Sequence, residues 1–85
     1  MFEIRWSRSA YDELTQLWTA SNADRRAAIT RSVATIEERL ATNPMSLGES
    51  RELLTRRIVH QPPVGIDFRI DESNRVVKVV RVWDY

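Results

Sequence analysis

The chain has 85 residues, 13 basic and 12 acidic, a net charge of +1 and an apolar fraction of 42%. That length supports one domain over residues 1–85, with a thin core that leaves little room for a large enclosed substrate cavity. It has no cysteine, which excludes disulfides, thiol nucleophiles and thiolate metal sites.

Residues 2–6, FEIRW, alternate apolar and polar, so Phe2, Ile4 and Trp6 share one face of a first strand and Glu3 and Arg5 the other. Ser7 or Ser9 is placed to cap a helix over about residues 8–20, whose Ala10, Leu14, Leu17 and Trp18 recur at helical spacing. Asp12 and Glu13 lie near its positive end. Ser21 and Asn22 break the chain, and Ser21 with Asp24 resembles a short capping box. A second helix is expected from about 23 to 41, with Ile29, Val33, Ile36 and Leu40 as its apolar stripe. Trp6 and Trp18 both stand at core-facing phases.

Asn43-Pro44 ends this helix, and NPMSLGES, residues 43–50, reads as a loop. RELLT, residues 51–55, fits either a helical turn or the approach to a strand. The remainder is strand-like. Ile58 and His60 alternate with Arg57, Val59 and Gln61; Pro62-Pro63 interrupts; Val64, Ile66, Phe68 and Ile70 then alternate with Gly65, Asp67, Arg69 and Asp71. DESNR is a turn, and VVKVVRVW, residues 76–83, is a last strand with apolar residues on both faces, hence central or covered by a partner. The expected fold is α+β, in the order β-α-α-β-β-β. A helical hairpin packs on one face of a four-stranded, mainly antiparallel sheet that the first strand rejoins, and the other face is left open.

The opening MFEIRWSRSAYDEL is charged from its third residue and does not read as a signal peptide. No apolar run approaches the roughly 18 residues of a membrane span. A cytoplasmic location and no membrane partner are expected. Gly48 and Gly65 are too far apart for a phosphate loop, and a single histidine excludes a histidine-rich metal site. No metal and no cofactor are expected.

The basic residues are more informative than their sum, because Lys78 is the only lysine and arginine's rigid fork matches phosphates and carboxylates. Arg51, Arg56, Arg57, His60, Arg69, Lys78 and Arg81 all fall in the C-terminal half. Alternation points Arg69 away from the helices. It groups Arg81 with Val77, Val79 and Trp83, while a one-position shift exchanges Arg81 for Lys78. Three readings follow: arginines gripping phosphates with Trp83 stacked on a base, a partner segment laid across Val77, Val79 and Trp83, or solvated charge paired with Glu3, Asp67 and Asp71.

FEIRWSRSAYDEL, the NPMSLGES loop, VGIDFRI at 64–70 and VKVVRVWD at 77–84 together resemble the RelE/ParE superfamily of bacterial type II toxins, across nearly the whole chain. The resemblance implies a toxin neutralised by a cognate antitoxin that wraps it with a helix and an extended segment. RelE-like members cleave messenger RNA on the ribosome without a metal, and ParE-like members inhibit DNA gyrase. For a ribonuclease, the candidate catalytic residues are Arg81, Arg57, His60 and Tyr85, with Arg51, Arg56, Arg69, Lys78 and Trp83 binding RNA or another target. Val77, Val79 and Trp83 are the candidate antitoxin contacts, and a homodimer would cover the last strand equally well. The usual arginine falls at Gly65, the usual tyrosine at Phe68 and the terminal histidine at Asp84, which weighs against ribonuclease chemistry. The leading expectation is therefore a toxin that binds a macromolecular target. The alternatives are a ribosome-dependent endoribonuclease and a non-toxic protein-binding member.

Overall fold

A computed structural model describes residues 1–50 and 55–85. Its elements are β1 (Glu3–Trp6), α1 (Arg8–Thr19), α2 (Ala23–Thr42), a 3-10 turn (Pro44–Ser46), β2 (Glu49–Ser50), β3 (Arg56–Gln61), β4 (Val64–Asp71) and β5 (Val76–Asp84). Among the described residues the sheet has five strands, in the order β1-β5-β4-β3-β2. β1 runs parallel to β5 and the other pairs are antiparallel. The fold class matches the sequence reading. The extra strand is the two-residue β2, which lies in the stretch expected to be loop and pairs with Arg57 and Ile58.

Local chemistry accounts for both helix starts. Ser7 caps α1, its Oγ accepting from the Ala10 N–H at 3.0 Å. Asn22, not Ser21, caps α2, its Oδ1 accepting from the Arg25 N–H at 2.9 Å. Ser21 instead donates its hydroxyl to the Leu17 carbonyl at 2.8 Å.

Ile29, Ile36 and Leu40 of α2 and Ala10 of α1 meet Ile66, Phe68 and Ile70 of β4 and Val77, Val79 and Val82 of β5 in one core. Each large side chain buried there stabilises the fold by about 1.5–3 kcal/mol. Trp6 packs partly against this core, but Trp18 is 43% exposed, contrary to its expected core position. The reason is local: the Arg26 guanidinium lies 4.3 Å from the Trp18 ring centre and bonds the Trp18 and Thr19 carbonyls at 2.8 and 2.9 Å. One arginine thus covers the outward ring and closes the C-terminal end of α1. Among the described residues no helix is long and apolar enough to cross a membrane.

Candidate functional site: the open face of the sheet

Alternation along β4 sends Ile66, Phe68 and Ile70 to the helices and Gly65, Asp67 and Arg69 to the opposite face. The register carries this division to the neighbours. On the open face, His60, Ile58 and Arg56 of β3 stand opposite Gly65, Asp67 and Arg69, and Trp83, Arg81 and Lys78 of β5 stand opposite the same three positions.

Lys78 and Arg81 are three apart, so plain alternation would separate them. The pairing shifts between Asp67 and Phe68, which pair with Arg81 and Val79, leaving Val80 as a bulge. Val77, Val79 and Val82 therefore face the helices, and Lys78, Arg81 and Trp83 share the open face. This corrects the expected grouping of Arg81 with Val77 and Val79. Both valines are fully buried, so their side chains present no surface to an antitoxin.

α1 holds the bulge. Ser7 donates its N–H to the Val79 carbonyl at 2.9 Å and its hydroxyl to the Val80 carbonyl at 3.4 Å. Glu13 accepts from the Val82 N–H at 3.0 Å and from Arg81 Nε at 3.1 Å.

One cross-strand row on this face is entirely cationic. Arg56 pairs in register with Arg69, Arg69 with Lys78, and Lys78 with Arg5. Directly opposite positions lie about 4.5–5.5 Å apart, and like charges there repel. Arg5 is tied to Glu3, and Arg56 makes only a loose pair with Asp67 at 3.8 Å. Arg69 and Lys78 are exposed and have no ion-pair partner among the described residues. A shallow cleft of about 340 Å³ lies along them, bounded also by Arg5, Ile70, Asp71 and Val76. Asp71 is already engaged: its carboxylate accepts from the Asn74 side chain at 2.8 Å and the Asn74 N–H at 3.2 Å. The side-chain bond, then the backbone bond, hold its pKa below the ordinary value.

The other end of the face is aromatic. His60 stacks on Tyr85 with ring centres 4.0 Å apart and meets Trp83 edge-on at 5.7 Å. Tyr85 is tied down by its N–H to the Pro63 carbonyl at 3.0 Å, although the residue is 60% exposed. Trp83 lies directly over Gly65, where a Cβ would collide with its indole and with His60. Between the two ends sits Asp67, 8% exposed, whose Oδ1 has no hydrogen-bond partner among the described residues; Arg56 Nε is likewise buried and without a partner among them.

The expected site residues thus separate. Arg56, Arg69 and Lys78 form the row, and His60, Tyr85 and Trp83 the aromatic end. Arg81 lies on the same face but is bonded to Glu13. Arg57 points the other way and donates to the Leu47 and Gly48 carbonyls at 2.7 and 2.8 Å, holding the loop before β2. Arg51 lies outside the described residues, as does most of RELLT. Sequence reasoning missed Arg5, which reaches the row only through the parallel β1–β5 pairing, and Asp67 as an incompletely bonded carboxylate. The alternation of β1 had marked Arg5 as outward.

On the far side of the molecule, α1 and α2 enclose an apolar groove of about 410 Å³ lined by Tyr11, Leu14, Trp18, Ile29 and Val33, with Glu37 at its border.

Three solved structures share this architecture. A chain of the chromosomal ParDE toxin–antitoxin system from Pseudomonas aeruginosa is 14% identical, with a TM-score of 0.73 over 99% of this chain and 96% of that one. A chain of the RelBE2 toxin–antitoxin complex from Mycobacterium tuberculosis is 20% identical, with a TM-score of 0.69 over 99% and 98%. One from the intact RelBE complex of Escherichia coli is 13% identical, with a TM-score of 0.67 over 100% and 98%. These likenesses establish the fold. A search of curated protein sequences gave no match. The family model described as the ParE toxin of the type II toxin-antitoxin system parDE matches residues 4–84. The chain belongs to that family, and is a RelE/ParE-superfamily toxin of a toxin–antitoxin system.

Proposed function

We propose that this toxin acts by binding a macromolecular target through the open sheet face, without cleaving it, and that a cognate antitoxin neutralises it. The supporting observation is the separation of the face into two ends. The cationic row lies about 13 Å along β4 from the His60–Tyr85 pair, four residues away at strand rise. A cleavage centre needs its proton-transfer groups and its charge-stabilising cations on the same few atoms. A binding surface needs only that both ends touch one partner. Arg81, the cation between them, is engaged by Glu13.

The apolar groove between α1 and α2 suits an antitoxin helix laying down an apolar stripe, with Trp18 and Tyr11 as aromatic contacts. This moves the antitoxin contact from the buried Val77 and Val79 to the helical hairpin.

The test is induced expression of the chain alone in a bacterial host, following growth, messenger RNA integrity and gyrase supercoiling together. Growth arrest with intact messages, relieved by Arg69→Gln with Lys78→Gln, is the expected result. Cleaved messages would transfer the assignment to the endoribonuclease reading. A folded protein causing no arrest would leave a non-toxic binding module.

A further inference from the structure

We infer that Arg81 is a two-position cation, shared between Glu13 on one side of β5 and Asp67 on the other, and that its move from Glu13 to Asp67 releases Arg56 onto the open face. Arg81 bonds Glu13 through Nε at 3.1 Å. In register, however, it stands directly opposite Asp67 on β4. Cross-strand partners lie about 4.5–5.5 Å apart, a gap that an arginine side chain spans. Asp67 is only 8% exposed, yet its Oδ1 has no hydrogen bond among the described residues, where its one ion pair is the loose contact with Arg56 at 3.8 Å. A cation placed to satisfy this carboxylate is thus held away from it by a second carboxylate.

The two arrangements are closely balanced. With Arg81 on Glu13 the pair is open to solvent, the side chains 62% and 30% exposed, and such a pair adds little stability. With Arg81 on Asp67, a sheltered carboxylate gains a charge-assisted hydrogen bond. Glu13 keeps the Val82 N–H, which it bonds through its other oxygen at 3.0 Å. The bulge is therefore held in both arrangements, and only side chains move.

Arg56 tips the balance. In the first arrangement it lies across Asp67, its own Nε buried and without a partner among the described residues. In the second Arg81 takes its place, and Arg56 joins Arg69 and Lys78 as a third cation of the row without a carboxylate partner among the described residues. An anionic group on a partner favours this second arrangement, because it draws Arg56 outward and leaves Asp67 to Arg81. A ligand shifts an equilibrium only by its differential affinity for the two states, and the released cation supplies that difference. The movement stands on the geometry of these four side chains; its use to the toxin rests on the open-face reading proposed above.

The experiment follows the Arg81 Nε–H by nuclear magnetic resonance in the full chain, in Glu13→Gln, in Asp67→Asn, in the two combined, and in Arg56→Gln. Each single carboxylate variant leaves Arg81 the other carboxylate. Exchange of the Nε–H should therefore stay slow in both and accelerate by roughly tenfold or more only in the combined variant, through loss of one charge-assisted hydrogen bond. The Asp67 carboxyl carbon should shift in Glu13→Gln, and Arg56→Gln should move the Arg81 resonance toward its Glu13→Gln position. Exchange in Glu13→Gln alone as fast as in the combined variant would overturn the inference. So would an Arg81 resonance in Arg56→Gln identical to that of the unaltered chain. Cooperative urea unfolding checks that the variants are folded, and if Asp67→Asn is not, the Glu13→Gln and Arg56→Gln spectra still decide. Glu13→Gln should also arrest growth at a lower level of expression, since it frees Arg56. Unchanged arrest with the resonance shifted would overturn the release of Arg56 to the target while upholding the movement. If Arg69→Gln with Lys78→Gln still arrests growth, the open-face reading falls, and the movement of Arg81 stands or falls by the spectra.

Discussion

The indole of Trp83 rests on the bare backbone of Gly65, so close that a Cβ there would overlap the ring. The two residues are cross-strand partners on β4 and β5. The position where the superfamily resemblance leads one to expect an arginine is therefore occupied in space by a tryptophan from the next strand. Gly65→Ala should cost about 1–3 kcal/mol, the usual range for overpacking, and shift tryptophan fluorescence. In a Trp83→Ala background the same substitution should cost less, the close approach left being that to the His60 ring. A double-mutant cycle by urea denaturation checks the coupling, and equal costs in both backgrounds would refute it.

Arg69 and Lys78 stand opposite one another, and neither has a carboxylate partner among the described residues. Replacing either by glutamine should leave stability unchanged or raise it by about 0.2–1 kcal/mol, the scale of a cross-strand pair. The same change should weaken growth arrest. Denaturation curves and induced-growth curves on the same variants measure both effects. A loss of stability matching the loss of toxicity would mean the residues support the fold rather than the target.

Glu13 serves two donors, and isosteric substitution separates them. Glu13→Gln keeps an acceptor for the Val82 N–H and should cost at most about 1 kcal/mol, because the Arg81 side chain is 62% exposed. Glu13→Ala leaves the N–H of a nearly buried residue unpaired and should cost about 1–3 kcal/mol. Amide hydrogen exchange at Val82 should accelerate in the alanine variant and stay slow in the glutamine variant.

Arg26 joins the two helices by bonding the Trp18 and Thr19 carbonyls while stacking on the Trp18 ring. Arg26→Lys should recover only part of what Arg26→Ala loses, since an ammonium lacks the planar fork. The alanine variant should be less stable by about 1–2 kcal/mol, and near-ultraviolet dichroism should report the freed indole.

Asp71 is held below the ordinary carboxylate pKa chiefly by the Asn74 side-chain bond. Its folded-state pKa is lowered, so its contribution to stability is present above the unfolded-state pKa and is lost as pH falls through the folded value. The β4–β5 turn should therefore loosen only in acid. Asn74→Ala should raise the Asp71 pKa towards the ordinary value, which carboxyl carbon chemical shifts would follow directly.

The elements were legible in the sequence because periodicity is a local property. The spacing of Ile29, Val33, Ile36 and Leu40 marked α2, and the alternation of Val64, Ile66, Phe68 and Ile70 marked β4, since each pattern repeats the geometry of the backbone that carries it. The arginine bias and the open second face followed from composition and element order. Only the tertiary structure decided which cations share that face. The Val80 bulge reverses the phase of β5 in mid-strand, and its cause lies far along the chain, in the bonds that Ser7 and Glu13 make to the edge of β5. Parallel pairing brings Arg5 to Lys78 across more than seventy residues of sequence. Arg57, indistinguishable from Arg56 in the sequence, turns inward to two loop carbonyls because a strand's faces alternate at every residue. Periodicity determined the pieces; register, which depends on contacts between distant segments, determined the site.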